Sequence, residues 1–184
     1  FCQAKRAHPA RWCRYDFMEL LAKRYDQKMG IDAQLYNFTG DYKAIVENYY
    51  KTMYKVIANI NNFIYYTDAN RNVLKTPDYY EIMKGEALGL RAFLHFDLLR
   101  LFGPLYAEHP ETKCLSYRRE LNAIPSPLLP AYQIVDSVLA DLHAAEALLK
   151  DHDPKIFVSR VSQMIHGQLL LAIKNMAETP ILSK

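Results

Sequence analysis

The chain has 184 residues, 51% of them hydrophobic and 23% charged, with a formal net charge of +3. That composition supplies a core for one domain, or for one large piece of a longer chain, and excludes wholesale disorder. The net charge is small and the basic residues are scattered beyond a Lys5–Arg14 cluster, which argues against a nucleic-acid partner.

No apolar run reaches the roughly 20 residues needed to cross a bilayer. Residues 1–13 are basic and polar and lack the apolar segment of a signal peptide. The three cysteines, Cys2, Cys13 and Cys114, are odd in number and irregular in spacing, so they read as free or half-buried thiols and not as a disulfide framework or zinc site. The unusual feature is aromatic: fourteen Tyr and eight Phe beside a single Trp. Tyr has an apolar body and a polar tip, which suits helix interfaces and sugar-binding surfaces alike.

In chain order, residues 1–13 form an irregular lead-in. Arg14–Lys28 carries Phe17, Leu20, Leu21 and Tyr25 on one stripe, a short amphipathic helix closed by Gly30. Ile31–Gly40 lacks periodicity. Asp41–Thr67 is expected to be a long helix with Ile45, Tyr49, Met53, Val56, Ile57, Ile60 and Ile64 as its core stripe, widened by Val46, Tyr50 and Phe63. Asn59, Asn61 and Asn62 are poor interior helix formers, because their amides compete with the backbone; some of them should bond to a neighbouring segment. Asp68–Thr76 is a turn, and Thr76-Pro77-Asp78 opens the next helix.

That next helix, through Lys84–Pro104, is the most strongly patterned stretch. Met83, Ala87, Leu90, Leu94, Leu98 and Leu101 make one stripe, and Ile82, Gly89, Phe93 and Phe96 a second. A helix so widely apolar belongs between other helices. Gly85, Gly89 and Ala92 share a face, and mid-helix Gly costs about 1 kcal/mol against Ala, so a neighbouring helix is expected to pack closely there. Gly103-Pro104 ends the helix. Residues 103–129 lose regular pattern, punctuated by Pro110, Pro125 and Pro127; a loop this long carries a function or lies across another surface. Pro130–Lys150 returns to helix, with Val135, Val138, Leu139, Leu142, Ala145, Leu148 and Leu149 inward and Asp136, Asp141 and Glu146 outward. Val158–Met176 is the last helix. The expected fold is all-α: TPR-like stacked helical hairpins at 41–102 and 130–176, with one helix before them and no strand pair.

Enzyme signatures are absent: no GxSxG, no Gly-rich phosphate loop, no HExxH. His95, between Leu94 and Phe96, reads as a hydrogen-bonded packing residue. His143 and His152 are too far apart for a helical metal pair, and His166 stands alone. Glu108 and Glu111 read as solvated loop charges. Glu86 lies in a partly apolar strip and is expected to be paired, since an isolated buried charge is expensive. Arg91 and Arg100 are expected to tie the hairpins together and cover apolar surface with their stems. No catalytic residue, metal ligand or cofactor is expected. The candidate binding residues are aromatic and lie outside helix interiors: Trp12, Tyr36 with Asn37, and Tyr65 with Tyr66, of the kind that stack on a sugar face and bond its hydroxyls.

The segments NNFIYYTD and YYEIMKGEALGLRAFLHFDLLRLFGPLY together resemble the SusD/RagB family of glycan-binding outer-membrane lipoproteins. The resemblance is carried by Ile60-Asn61-Asn62, Lys84-Gly85-Glu86-Ala87, Leu90-Arg91-Ala92-Phe93, and Phe96-Asp97-Leu98 through Phe102-Gly103. A second, weaker match follows in Ala131–Leu149, through Ile134, Val138, Leu139, Ala140-Asp141-Leu142 and Ala145, so the likeness covers about Asp41–Leu149. It implies an extracellular-facing protein, held in the outer membrane by a lipid anchor not visible in this chain. Such a protein binds oligosaccharide and leans its helical repeats on a SusC-like TonB-dependent transporter. It implies no enzyme. The chain is expected to be a shortened member holding the N-terminal helical part: Gln163–Asn175 only loosely matches the alanine- and arginine-rich helix of the family, and no lipidation signal precedes Cys2. A TPR-like interaction scaffold without sugar binding is the alternative.

Overall fold

In the computed structural model, residues 40–104, 106, 108–120 and 126–150 are described. The expected helices at Arg14–Lys28 and Val158–Met176 lie outside them. Five elements follow in order: α1, Gly40–Ala69; α2, Tyr79–Phe102; β1, Lys113–Leu115; β2, Leu129–Pro130; and α3, Ala131–Leu149. The described residues are mostly helical, and the fold is all-α. The chain divides into two compact units, Phe1–Thr52 and Met53–Lys184, so α1 begins in the first and ends in the second. In the first unit the described part of α1 carries an exposed ladder in which Glu47 faces Lys43 at 4.0 Å and Lys51 at 3.6 Å. Such solvated i,i+4 pairs add a few tenths of a kcal/mol each.

In the second unit α2 is the central rod. Its buried residues are Gly85, Ala87, Leu88, Arg91, Ala92, His95, Phe96, Leu98 and Leu99. Ala92 and Leu98 are fully enclosed, as are Ile134, Val138 and Ala145 of α3. Met53, Ile57 and Ile60 of α1 supply the rest of the helical core. The expectation that this helix lies between others holds, with Phe93 and Leu94 both half-buried. Two stripe assignments do not hold. Leu90 of α2 is 48% exposed and Val56 of α1 is 39% exposed, because the closest packing of α2 is set by a small-residue and polar face and not by its leucine stripe.

The glycine face splits in the same way. At Gly85 an added Cβ would lie 2.8 Å from Leu149 Cγ, so α3 does pack against this notch. At Gly89 nothing lies within 4 Å, so the close neighbour expected there is absent. Gly103 follows the end of α2 in extended backbone, with its N–H on the Leu99 carbonyl at 2.8 Å. A Cβ there would meet that same carbonyl oxygen at 2.4 Å, so its glycine is required by close approach. Asp78, just before α2, takes a left-handed φ of 66°.

The stretch 103–129 is not wholly irregular. β1 and β2 pair antiparallel, Lys113 with Pro130 and Leu115 with Leu129. This short ribbon corrects the expectation of a strand-free chain. It anchors residues 113–119 as a strap across the helices, with Leu115 2% and Tyr117 9% exposed. A long loop that lies across another surface is what its length suggested.

The two helical glycines are expected to respond in opposite directions to alanine. Gly89→Ala should raise stability by about 0.5–1 kcal/mol, since it removes a helix penalty and meets open space. Gly85→Ala should lower it by about 1–3 kcal/mol, since Leu149 has to be displaced. Urea unfolding of the two variants measures both signs.

Candidate functional site

Two regions invite a functional reading: a buried polar cluster under the strap, and the exposed aromatic end of α1.

The cluster is built on Arg91 and Asp141, each 5% exposed. Arg91 Nε donates to Asp141 Oδ2 at 2.7 Å and Nη2 to Oδ1 at 2.9 Å, a bidentate fork between α2 and α3. Its remaining Nη1 donates to Asn61 Oδ1 of α1 at 3.0 Å. The Asn61 amide passes the chain on, donating from Nδ2 to the Arg118 carbonyl at 3.0 Å. The strap answers with Tyr117, whose hydroxyl donates to Asp141 Oδ2 at 2.6 Å, and with Arg119, whose Nε lies 3.6 Å from Asp141 Oδ1. Burial, with the Asp141 charge beside it, pushes the Tyr117 phenol far above its ordinary value, so the hydroxyl stays a donor.

His95 completes the cluster. Its ring stacks on Tyr117 at 3.9 Å and meets Tyr54 edge-on at 6.3 Å. The Arg118 backbone N–H donates to Nε2 at 3.1 Å, which leaves the ring proton on Nδ1, donated to the Arg91 carbonyl at 2.9 Å. Both nitrogens are used by the backbone, so none faces a reactant. The expectation of a packing histidine is met, and so are those that Arg91 ties the helices together and that one of the asparagines bonds outside its helix. Asp141 departs from expectation: placed outward by the sequence pattern, it is the acceptor at the centre of the cluster. Its position three residues after Val138 and beside Leu142, both enclosed, was the available signal. Arg100 also departs: among the described residues it reaches Asp97, 3.4 Å away on its own helix, and the Phe96 ring, and no other helix.

A closed set of satisfied donors and acceptors presents nothing to a substrate. Its chemistry is that of a clamp. Among the described residues no group of three His, Cys, Asp or Glu is arranged to hold a metal ion.

The aromatic end of α1 is open. Tyr65 is 58% and Tyr66 56% exposed, and their rings meet edge-on with centroids 5.3 Å apart and planes at 80°. The turn after them is held to α2: Asp68 Oδ1 accepts from Lys84 Nζ at 2.7 Å and from the Tyr80 hydroxyl at 2.8 Å. The Arg71 guanidinium lies 4.4 Å above the Tyr80 ring, and Asn70 caps the Tyr66 carbonyl through Nδ2 at 2.8 Å. Two large amphipathic rings thus stand in solvent on a fixed helix end. The other sequence candidates, Trp12, Tyr36 and Asn37, lie outside the described residues, so the structure brings together only Tyr65 and Tyr66.

Sequence reasoning missed a groove between α1 and α2. Val56, Ile60 and Phe63 form one wall and Met83, Ala87 and Leu90 the other, around a volume of about 350 Å³. Asn59 and Glu86 are its polar members. Glu86 is expected to be paired; it is half-buried here, the side chains that share the groove with it offer no cation, and among the described residues it makes no ion pair.

His95 gives the clamp a pH signature. Burial, chiefly, with the nearby positive charges of Arg91 and Arg119, pushes its pKa from 6.5 down to about 4. The folded state therefore requires the neutral ring. The stability it contributes is complete above pH 6.5 and is lost as pH falls from 6.5 towards 4, on the order of 3 kcal/mol in total. NMR should show the His95 ring proton shifts flat from pH 8 to 5, while exposed histidines titrate; a midpoint near 6.5 would contradict this.

A protein-family model described as SusD-like, starch-binding and associating with the outer membrane, matches residues 15–165. No curated protein matches the chain. The match covers the central rod, its two flanking helices and the strap, which are the elements that the Arg91–Asp141 clamp joins. By that match the chain belongs to the SusD-like family of starch-binding, outer-membrane-associated proteins, a family of binding proteins and not of enzymes.

Proposed function

We propose that this chain is a glycan-binding accessory of an outer-membrane uptake system, and that Tyr65 and Tyr66 are part of its ligand surface. The observation that carries the reading is the solvent-exposed, edge-on tyrosine pair on a rigid helix end, in a chain whose family is described as starch-binding. A pyranose ring presents an apolar face of C–H groups and a rim of hydroxyls. A tyrosine ring covers the first and its hydroxyl bonds the second, at little side-chain entropy for the area gained. Edge-on rings offer two surfaces at a steep angle, which suits a curved glucan better than a flat one. Trp12, Tyr36 and Asn37 are proposed as further ligand-binding residues on the sequence pattern alone.

The partner in this reading is a SusC-like TonB-dependent transporter, which the chain would cap from the extracellular face while a lipid anchor holds it in the membrane. Support for the location is the family's association with the outer membrane. Among the described residues no helix is long and apolar enough to cross a membrane, so an anchor of another kind is consistent with the reading.

Isothermal titration with maltoheptaose tests the binding claim. Binding should be measurable for the wild-type chain and fall on the order of tenfold for Tyr65→Ala and Tyr66→Ala combined, with the far-ultraviolet dichroism unchanged. Absence of heat with maltoheptaose and with plant, host and microbial oligosaccharides would overturn it.

A further inference from the structure

The groove between α1 and α2 has the wrong chemistry for a sugar. Six of its eight lining residues are apolar, and its polar groups are one amide and one carboxylate, Asn59 and Glu86. It also has a property that a merely exposed apolar patch lacks. Glu86 is a half-buried acid set among Ile60, Phe63, Met83 and Leu90, with no cation among the groove's side chains. A carboxylate partly removed from water with no cation in its groove gains from a cation brought to it, and gains more once the surrounding water is displaced. The walls gain by the same event: Val56 is 39%, Phe63 43% and Leu90 48% exposed.

Shape narrows the occupant. The walls run from residue 56 to 63 on one helix and from 83 to 90 on the other. At about 1.5 Å per residue, each is about two helical turns long, bounded by two antiparallel rods. A third helix lying along that furrow would place side chains at i, i+3 or i+4, and i+7 between the walls. We propose that this groove is a docking seat for an amphipathic helix of a partner protein, one whose apolar stripe carries a single lysine or arginine aligned with Glu86. Leu90 and Phe63 supply the apolar contact and Glu86 fixes the register and the sign of the partner's charge. The seat lies on the helical hairpin and uses neither tyrosine of the sugar-binding reading, so each can fail without the other.

The probe is a fluorescein-labelled synthetic helix of 18 residues with a leucine stripe and one central lysine on it, titrated with the full 184-residue chain and read by anisotropy. Binding should weaken about fivefold with Glu86→Gln and by a similar factor when the peptide lysine becomes norleucine, and the two changes together should do no more than either alone. Leu90→Asp should abolish binding, and Glu108→Gln, an exposed loop acid, should leave it unchanged. Thermal melts of each variant separate lost binding from lost folding. Failure of the wild-type chain to bind, or binding indifferent to Glu86 and to the peptide lysine, would overturn the proposal.

Discussion

The constraint on which the second unit depends is a buried ion pair that cannot be left half-made. Arg91 and Asp141 are both almost wholly enclosed and bond through two nearly parallel contacts of 2.7 and 2.9 Å. Removing either partner would strand a charge in the core, a loss of about 3–5 kcal/mol. Satisfying both requires more than α2 and α3. The third guanidinium donor requires Asn61 of α1, and the carboxylate takes a further hydrogen bond from Tyr117 of the strap. One pair of charges therefore sets the register of three helices and fastens the segment that crosses them. Apolar packing alone would tolerate sliding of these helices; a forked charge pair with satellites does not.

The clamp also separates structure from function in this chain. It gathers polar residues of the kinds that make active sites, and uses up their hydrogen-bonding capacity on one another and on the backbone. What remains for recognition among the described residues is outside: two tyrosines at the end of α1, and a furrow whose one acid shares it with no cation. A rigid interior with its recognition groups on the rim fits a family described by what it binds.

Much of this was legible in the sequence. Helices expected at Asp41–Thr67 and Pro130–Lys150 occur at Gly40–Ala69 and Ala131–Leu149, because period-3.6 patterning over that length has no competing reading. Gly85 announced a close helix contact, and His95 announced a packing role. The misreadings share a cause. Leu90 and Val56 belong to apolar stripes, yet stand half in solvent; Asp141 is charged, yet is buried. Pattern reading sorts residues by hydropathy, and α2 is packed by a face on which arginine and histidine sit beside glycine and alanine. Gly89 misled for the same reason, since a small residue marks a close approach only where a neighbour is aimed at it. The ribbon of β1 and β2 was out of reach because three- and two-residue strands carry no periodicity. The groove was out of reach because it is a relation between helices.

A double-mutant cycle on Arg91 and Asp141 tests this account most directly. Urea unfolding of Arg91→Met, Asp141→Leu and the combined variant would be compared with the wild type. Each single change should cost about 3–5 kcal/mol, and the pair together should cost less than the sum by at least about 2 kcal/mol, because the double variant leaves no charge stranded. Single effects below about 1 kcal/mol that simply add would show that the pair does not hold the helices in register.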